Sequence, residues 1–491
     1  LENLNPPIHA PLPCDNTLDT TPEKPRAASG AQPPEGAEPR RGSLLVIFLT
    51  VFVDLLGFGM VLPLLPVYAK HFAAEHGFSK FTTGMTIGLL LSSFSIMQFL
   101  FVPIWGRLSD RYGRRPILII GLVGSTMFYT LFGVATALGS LAGLFIARIG
   151  AGIAGATIAT AQAYIADTTT RDKRNKGMAL IGAAFALGFT LGPTLGAVAL
   201  LAGGNVTLSP WPGYAAGMFS GFALLMAIFW LPESLRPGSR AARQPLFDRT
   251  ALASALATPS VAMLLLASFI AVFSFANFES TLSLQVDQLV AEVQGTAVTV
   301  QGVVADAQPA AHVPVIIRAL MDWAQSRGYE DADEVKLIVI LAVFSYLGLV
   351  LTFAQGFLVR LLAGRVKEGT MALSGGSLAV VGFLVLVRAA ETANFNLLLG
   401  ALAVEVTGFA LVNPSLQSLI SRRSNPAYQG GVLGIAQSSS SLARILGPLF
   451  GNALFAFSVA WPYWAAAGLM VLALSVIAVA ARRGHDYESA E

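Results

Sequence analysis

Of 491 residues, 54% are hydrophobic and 12% charged, and the mean hydropathy is +0.66, whereas a water-soluble globular chain carries about 25% charged residues. That balance excludes a soluble enzyme or binding domain and points to a chain embedded in lipid. The formal charge of +3 is too small a bias to argue for nucleic acid as a partner.

Residues 1–42, rich in Pro, Ala, Gly and Glu and ending in Arg40 and Arg41, read as a disordered cytoplasmic tail without a signal-peptide core. Cys14, the only cysteine, lies there, so no intrachain disulfide or cysteine metal cluster is expected. Apolar runs able to span a bilayer, roughly 17 to 25 residues each, follow at about 43–69, 82–105, 116–137, 139–166, 176–202 and 213–231, making a first bundle of 43–231. A basic cytoplasmic linker, 232–259, leads to six more runs at about 260–284, 336–358, 369–388, 394–414, 430–458 and 462–481, a second bundle of 260–481. The loop 285–335 inside it carries Asp287, Glu292, Asp306, Asp322, Glu330, Asp331, Asp333 and Glu334 among amphipathic stretches such as VIIRALMDWAQS. One or two short helices outside the membrane are expected there. Residues 482–491 form a second cytoplasmic tail. The predicted fold is all-α integral membrane, with twelve transmembrane helices in two six-helix pseudo-symmetric bundles.

Lys and Arg fix the orientation, because they are retained on the cytoplasmic side. With both termini inside an inner (cytoplasmic) membrane, the inner loops hold most of them, including Arg107, Arg111, Arg114, Arg115, Arg236, Arg360, Arg365, Arg422 and Arg423. The outer loops keep Lys70, Lys80, Arg318, Arg327 and Lys336. Two motifs also recur roughly half a chain apart. GFTLGPTLG (188–196) in the fifth run has a partner in ARILGPLFG (443–451) in the eleventh, and GRLSDRYGRR after the second has a worn counterpart in GFLVRLLAGR (356–365) after the eighth. Such internal duplication marks transporters whose substrate site lies between the halves near the midplane.

These residues carry a family resemblance. GRLSDRYGRRP (106–116) resembles the loop motif of the major facilitator superfamily, RIGAGIAGATIATAQAYIAD (148–167) resembles its fourth helix in drug:proton antiporters, and GFTLGPTLGA resembles their fifth. DLLGFGMVLPLLPVY (54–68) is similar to their first helix, the whole being most similar to the tetracycline-resistance branch. The chain departs from that branch where its members carry an acid in the third helix: here the residue is Phe128, which argues against tetracycline itself as substrate. The second-half loop departs too, with Arg360 where the first has Asp110.

The resemblance implies roles. Gly106 and Gly113 permit tight turns, and Asp110, Arg111 and Arg114 form a latch across the inner ends of the halves that holds an outward-open state; partly exposed ion pairs worth about 0 to 1 kcal/mol each can break every cycle. Gly188, Gly192 and Gly196, at four-residue spacing around Pro193, form a close-packed seal between the halves. A charge at bilayer depth costs about 2.5 to 3.5 kcal/mol, which singles out Asp54, Arg148, Glu279, Glu405 and Arg444. Asp54 is the leading proton carrier or cation contact, with Arg148 stabilising its carboxylate; Glu405 is a second proton site, since no basic residue lies within its run, and Glu279 a third, nearer the outer end. Gln98, Phe128, Gln162, Asn277 and Gln437 are expected to line the substrate cavity, and aromatic rings would suit apolar or cationic guests.

The expectation is a secondary transporter that exports small amphipathic molecules in exchange for protons, working as a monomer in the lipid bilayer, with no cofactor besides the coupling proton and no metal. No GxxxxGK[ST] loop or HExxH pair is present, so neither an ATP-driven pump nor a membrane metalloenzyme is indicated. A carrier for metabolite uptake or facilitated diffusion, or a transport-dead sensor or scaffold using the acidic outer loop, are the competing readings.

Overall fold

A computed structural model describes residues 41–168, 171–203, 208–235, 258–293, 313–327, 332–362, 364–424 and 429–483. The amino-terminal tail through residue 40, most of the 232–259 linker, the middle of the 285–335 insertion and the end of the carboxy-terminal tail lie outside them.

The first expected span is two helices, α1 (Arg41–Val61) and α2 (Leu65–Glu75). Pro63 removes an amide donor and disfavours helix in the residue before it, and Pro66 then sits in the first turn of α2, where the missing donor costs nothing. α3 (Lys80–Tyr112) starts on Ser79, whose Oγ accepts from Thr82 N at 3.2 Å. Gly113, at φ +111°, turns the chain into α4 (Arg114–Ala137). The fourth span is also broken, into α5 (Leu141–Gly155) and α6 (Ile158–Thr168), after the helix-weakening run Gly150, Gly152, Gly155. α7 (Arg171–Ala202) and α8 (Trp211–Trp230) complete the first half.

The second half opens with α9 (Pro259–Val293), which runs nine residues past the expected end at 284. Gln285 and Asp287, expected in the outer loop, are therefore buried helical residues. The VIIRALMDWAQS segment is helix α10 (Val315–Ser326), with Ile317, Met321 and Ala324 buried along one face. α11 (Ala332–Phe353) passes through a π-helical turn, Ala354–Leu358, into the short α12 (Val359–Leu362). α13 (Glu368–Glu391), α14 (Phe395–Arg423), α15 (Gln429–Phe455) and α16 (Trp461–Arg483) follow. Among the described residues, ten spans are long and apolar enough to cross a membrane. The other two expected spans are the Gly-Pro helices α7, apolar over Leu187–Ala202, and α15.

The duplication seen in sequence reappears in packing. In the first half α1 packs on α7 and α8, α4 on α5 and α8, and α3 on α5. In the second, α9 packs on α15 and α16, α13 on α14 and α16, and α11 on α14. The halves then meet through two matching contacts, α3 on α15 and α7 on α11.

Candidate functional site

The α3–α15 contact is built toward the end remote from the arginine-rich loops, here the far end, and the α7–α11 contact runs from there past the middle of the span, to Thr352 one residue before the end of α11. A Cβ at Gly88 of α3 would stand 2.9 Å from Leu449 Cα of α15, and Ser92 Oγ donates to Ile445 O at 2.6 Å. Across the second contact Thr190 and Thr352 hydroxyls lie 2.6 Å apart, Thr194 Oγ1 donates to Ser345 Oγ at 2.9 Å, and Gly348 lies against the Thr190 backbone. Lys70 of α2 closes the far end by an ion pair with the buried Asp287 of α9, which Lys336 also approaches at 4.0 Å while bonding Asp333 at 2.7 Å. Toward the basic end Gln98 is only half buried on α3, and Gln437, Ser438 and Arg444 are exposed on α15.

The glycine stripe does a different job from the one expected. Gly188, Gly192 and Gly196 are buried chiefly against α1 of the first half: a Cβ on Gly192 would sit 2.7 Å from Gly59 Cα, one on Gly188 2.9 Å from Leu55 Cβ, and one on Gly196 3.1 Å from Met60 O, with Leu341 of α11 in the second half 3.6 Å away. Small residues let these backbones touch, with Pro193 buried among them. The seal between halves is made by Thr190 and Thr194, which point the other way from the same helix.

The loop charges likewise stay within the first half. Arg114 pairs with Asp110, donates from Nε to Asp167 Oδ2 at 3.1 Å and from Nη1 to Ser109 Oγ at 2.7 Å. Glu233, which sequence reasoning missed, accepts from Arg114 N at 2.9 Å and Arg115 N at 3.2 Å, capping α4. Arg111 lies over its neighbour Tyr112, 5.2 Å from the ring centroid. Gly106 is open to its surroundings. Among the described residues Asp110 and Arg114 pair within the first half, so the expected latch across the halves is not made in this conformation. The signal for Glu233 was a lone acid at the head of a basic linker.

Asp54 lies midway along α1 in a small pocket lined by Thr50, Leu118, Leu122, Ser125, Thr157 and Ala161, with room for a water molecule. Its Oδ1 is buried without a protein hydrogen-bond partner, and Ser125 is its polar neighbour. Arg148 does not pair with it. The guanidinium is buried one turn farther along α1, against the faces of Phe58 and Phe94 at 5.5 and 4.6 Å, with Nε and Nη1 lacking hydrogen-bond partners. Tyr129 is within electrostatic reach of both Asp54 and Arg148.

In the second half Glu405 is fully buried on α14 with neither carboxyl oxygen hydrogen-bonded. Its helix runs on past the expected end to Arg422 and Arg423, far from it along the axis. Glu279 of α9 is half buried and in electrostatic reach of both Arg444 and Glu405. Two expected cavity residues are packing residues instead: the Phe128 ring is seated against Gly150 between α4 and α5, and Asn277 is buried with Nδ2 donating to Pro462 O at 2.7 Å. Gln98 donates to Gly155 O at 3.3 Å, and Gln162 is exposed.

The sequence profile of the Major Facilitator Superfamily matches residues 47–326 and 313–490. The chain is 28% identical over 436 residues to the class C tetracycline resistance protein of Escherichia coli, covering 88% of this chain and 95% of that one. It is 29% identical over 484 residues to human major facilitator superfamily domain-containing protein 10, covering 88% and 90%. The crystal structure of that human protein, described as the organic anion transporter MFSD10, superposes with a TM-score of 0.60 at 26% identity, over 91% of this chain and all (100%) of that one. The nucleoside transporter NupG, at 14% identity and a TM-score of 0.61 over 91% and 99% of the two chains, shares the fold. With a duplicated all-helical bundle and a family profile matching nearly its whole length, the chain belongs to the Major Facilitator Superfamily: it is an integral membrane transport protein for small molecules and not an enzyme.

Proposed function

We propose that this protein exports small amphipathic molecules in exchange for protons, with the proton as coupling ion and no other cofactor, working as a monomer in a cytoplasmic membrane with both termini inside. The observation that carries the reading is that Asp54, Glu279 and Glu405 are held inside the helical bundles while the halves meet through small-residue contacts and Gln437, Ser438 and Arg444 are exposed on α15; we read this as a cleft between the halves that opens at the basic end. Since arginine-rich loops face the cytoplasm, this conformation is inward-open, and the Asp110–Arg114 cluster reaches the second half only after the cleft closes. Driven by about 100 mV and one pH unit, a proton supplies about 3.7 kcal/mol, enough for a several-hundredfold gradient of a neutral substrate exchanged one for one. Arg444, exposed in the cleft, favours a second reading in which the cargo is an organic anion, as the name of the human relative states for that protein.

The test is reconstitution in liposomes with an internal pH dye, an imposed proton gradient, and a panel of lipophilic cations, tetracycline, neutral amphiphiles and organic anions. Proton movement driven by one class, and lost in Asp54→Asn, supports exchange and names the class. Equilibration of a radiolabelled compound without proton movement replaces it with facilitated diffusion.

A further inference from the structure

α9 and α14 run antiparallel in the second half, and Phe275 stacks on Phe409 across them, ring centroids 4.0 Å apart and planes at 14°. One turn nearer the far end on each helix stand Glu279 and Glu405, four residues along on α9 and four residues back on α14. The stack thus fixes the register that brings the two carboxyls to one level, and lies between them and the basic end. We propose that Glu279 and Glu405 act as one proton-sharing pair, with Arg444 as counter-charge and the Phe275–Phe409 stack as its seal toward the basic end.

The surroundings leave the pair few other partners. α13 presents Gly382 to Glu405, so close that a Cβ there would meet the Glu405 backbone nitrogen at 2.6 Å. From α11, Tyr346 Oη donates to Leu399 O at 3.2 Å. From α16, Tyr463 packs on Phe278, centroids 6.3 Å apart. From α15 comes Arg444, coupled to Glu279. A buried carboxylate with both oxygens unbonded is too costly to remain ionised, and of the two neighbouring acids it is Glu279 that has Arg444 as counter-charge, so the pair keeps one negative charge, on Glu279. Glu405 holds the proton while Glu279 faces Arg444. A proton that passes the stack binds Glu279 and cancels its charge beside Arg444, and loss of that proton restores the ion pair.

The part the pair plays in transport rests on the exchange reading; its protonation does not, and is measured without flux. Infrared difference spectra of the full chain in lipid nanodiscs, taken across a pH series, read the carboxylic-acid C=O band. The expected wild-type band persists at neutral pH and titrates in two coupled steps. Glu405→Gln removes the persistent component, and Glu279→Gln reduces the titration to one step. Phe409→Leu, which leaves every charge in place, speeds hydrogen–deuterium exchange of the band several-fold. A neutral-pH band unchanged by Glu405→Gln, or a Glu405 titration indifferent to Glu279→Gln, overturns the proposal. A coupled band in a protein that moves no protons with substrate refutes the exchange reading and leaves the pair standing.

Discussion

Where α4 crosses α5 in the first half, the Phe128 ring fills the space over Gly150; where α13 crosses α14 in the second, Gly382 makes the room and Glu405 takes it. The offset that carries Pro193 onto Pro448 also carries Gly150 onto Glu405 and Phe128 onto Phe383, while Gly382 falls on Met127, so α14 holds an acid where its counterpart α5 holds a glycine. The two crossings therefore differ in which helix supplies the bulk, and only the second places an acid there. Each half keeps an acid of its own: Asp54 borders a pocket with Ser125 and Thr50, while Glu405 is fully buried with neither carboxyl oxygen hydrogen-bonded.

The largest effect expected from breaking this comparison is at the acids. Asp54→Asn abolishes substrate-driven proton movement in liposomes, and a variant that keeps it assigns coupling to the second half alone. Next come the two crossings. Gly382→Leu drives a side chain into the Glu405 backbone and costs about 3 kcal/mol, whereas Phe128→Leu keeps a hydrophobic side chain over Gly150 and costs about 1 kcal/mol, both read from unfolding in detergent. Equal costs would mean the crossings are not matched. A smaller effect follows at the far end, where Asp287→Asn removes the ion pair from Lys70. Lys70 is half exposed, so the change amounts to about 1 kcal/mol, a roughly 5-fold shift toward opening of that end, visible as faster thiol labelling of a cysteine placed at Phe81. Smallest is Glu233→Ala, which uncaps α4 on the exposed basic face for about 0.5 kcal/mol and lowers the melting temperature slightly with flux unchanged.

How much of this was legible in sequence depended on the range of the cause. The Gly-Pro repeats and the crowding of arginines into alternate loops are local patterns, and they carry the duplication and the membrane class. Pro63 and the run Gly150, Gly152, Gly155 could have announced the breaks in the first and fourth spans. Other features are set by partners distant in the chain. Nothing near Asp287 shows that it meets Lys70, 217 positions away. The direction in which Gly192 points depends on how α7 is rotated between α1 and α11, which a stripe of glycines leaves open. Arg148 was read as Asp54's partner because opposite charges in lipid are expected to pair; the rings of Phe58 and Phe94 hold it instead, and a pattern of charges gives no sign of them.

The account rests on the two ends of the cleft opening in turn. With Cys14 replaced by serine, spin labels at Phe81 and Phe457, whose rings lie 6.1 Å apart at the closed end, and a second pair at Tyr112 and Arg365 on the basic loops, report both ends by pulsed electron paramagnetic resonance. Lowering the pH and adding substrate should lengthen the first distance as the second shortens. Distances that stay fixed, or that lengthen together, would contradict alternating access and with it the exchange of protons for cargo.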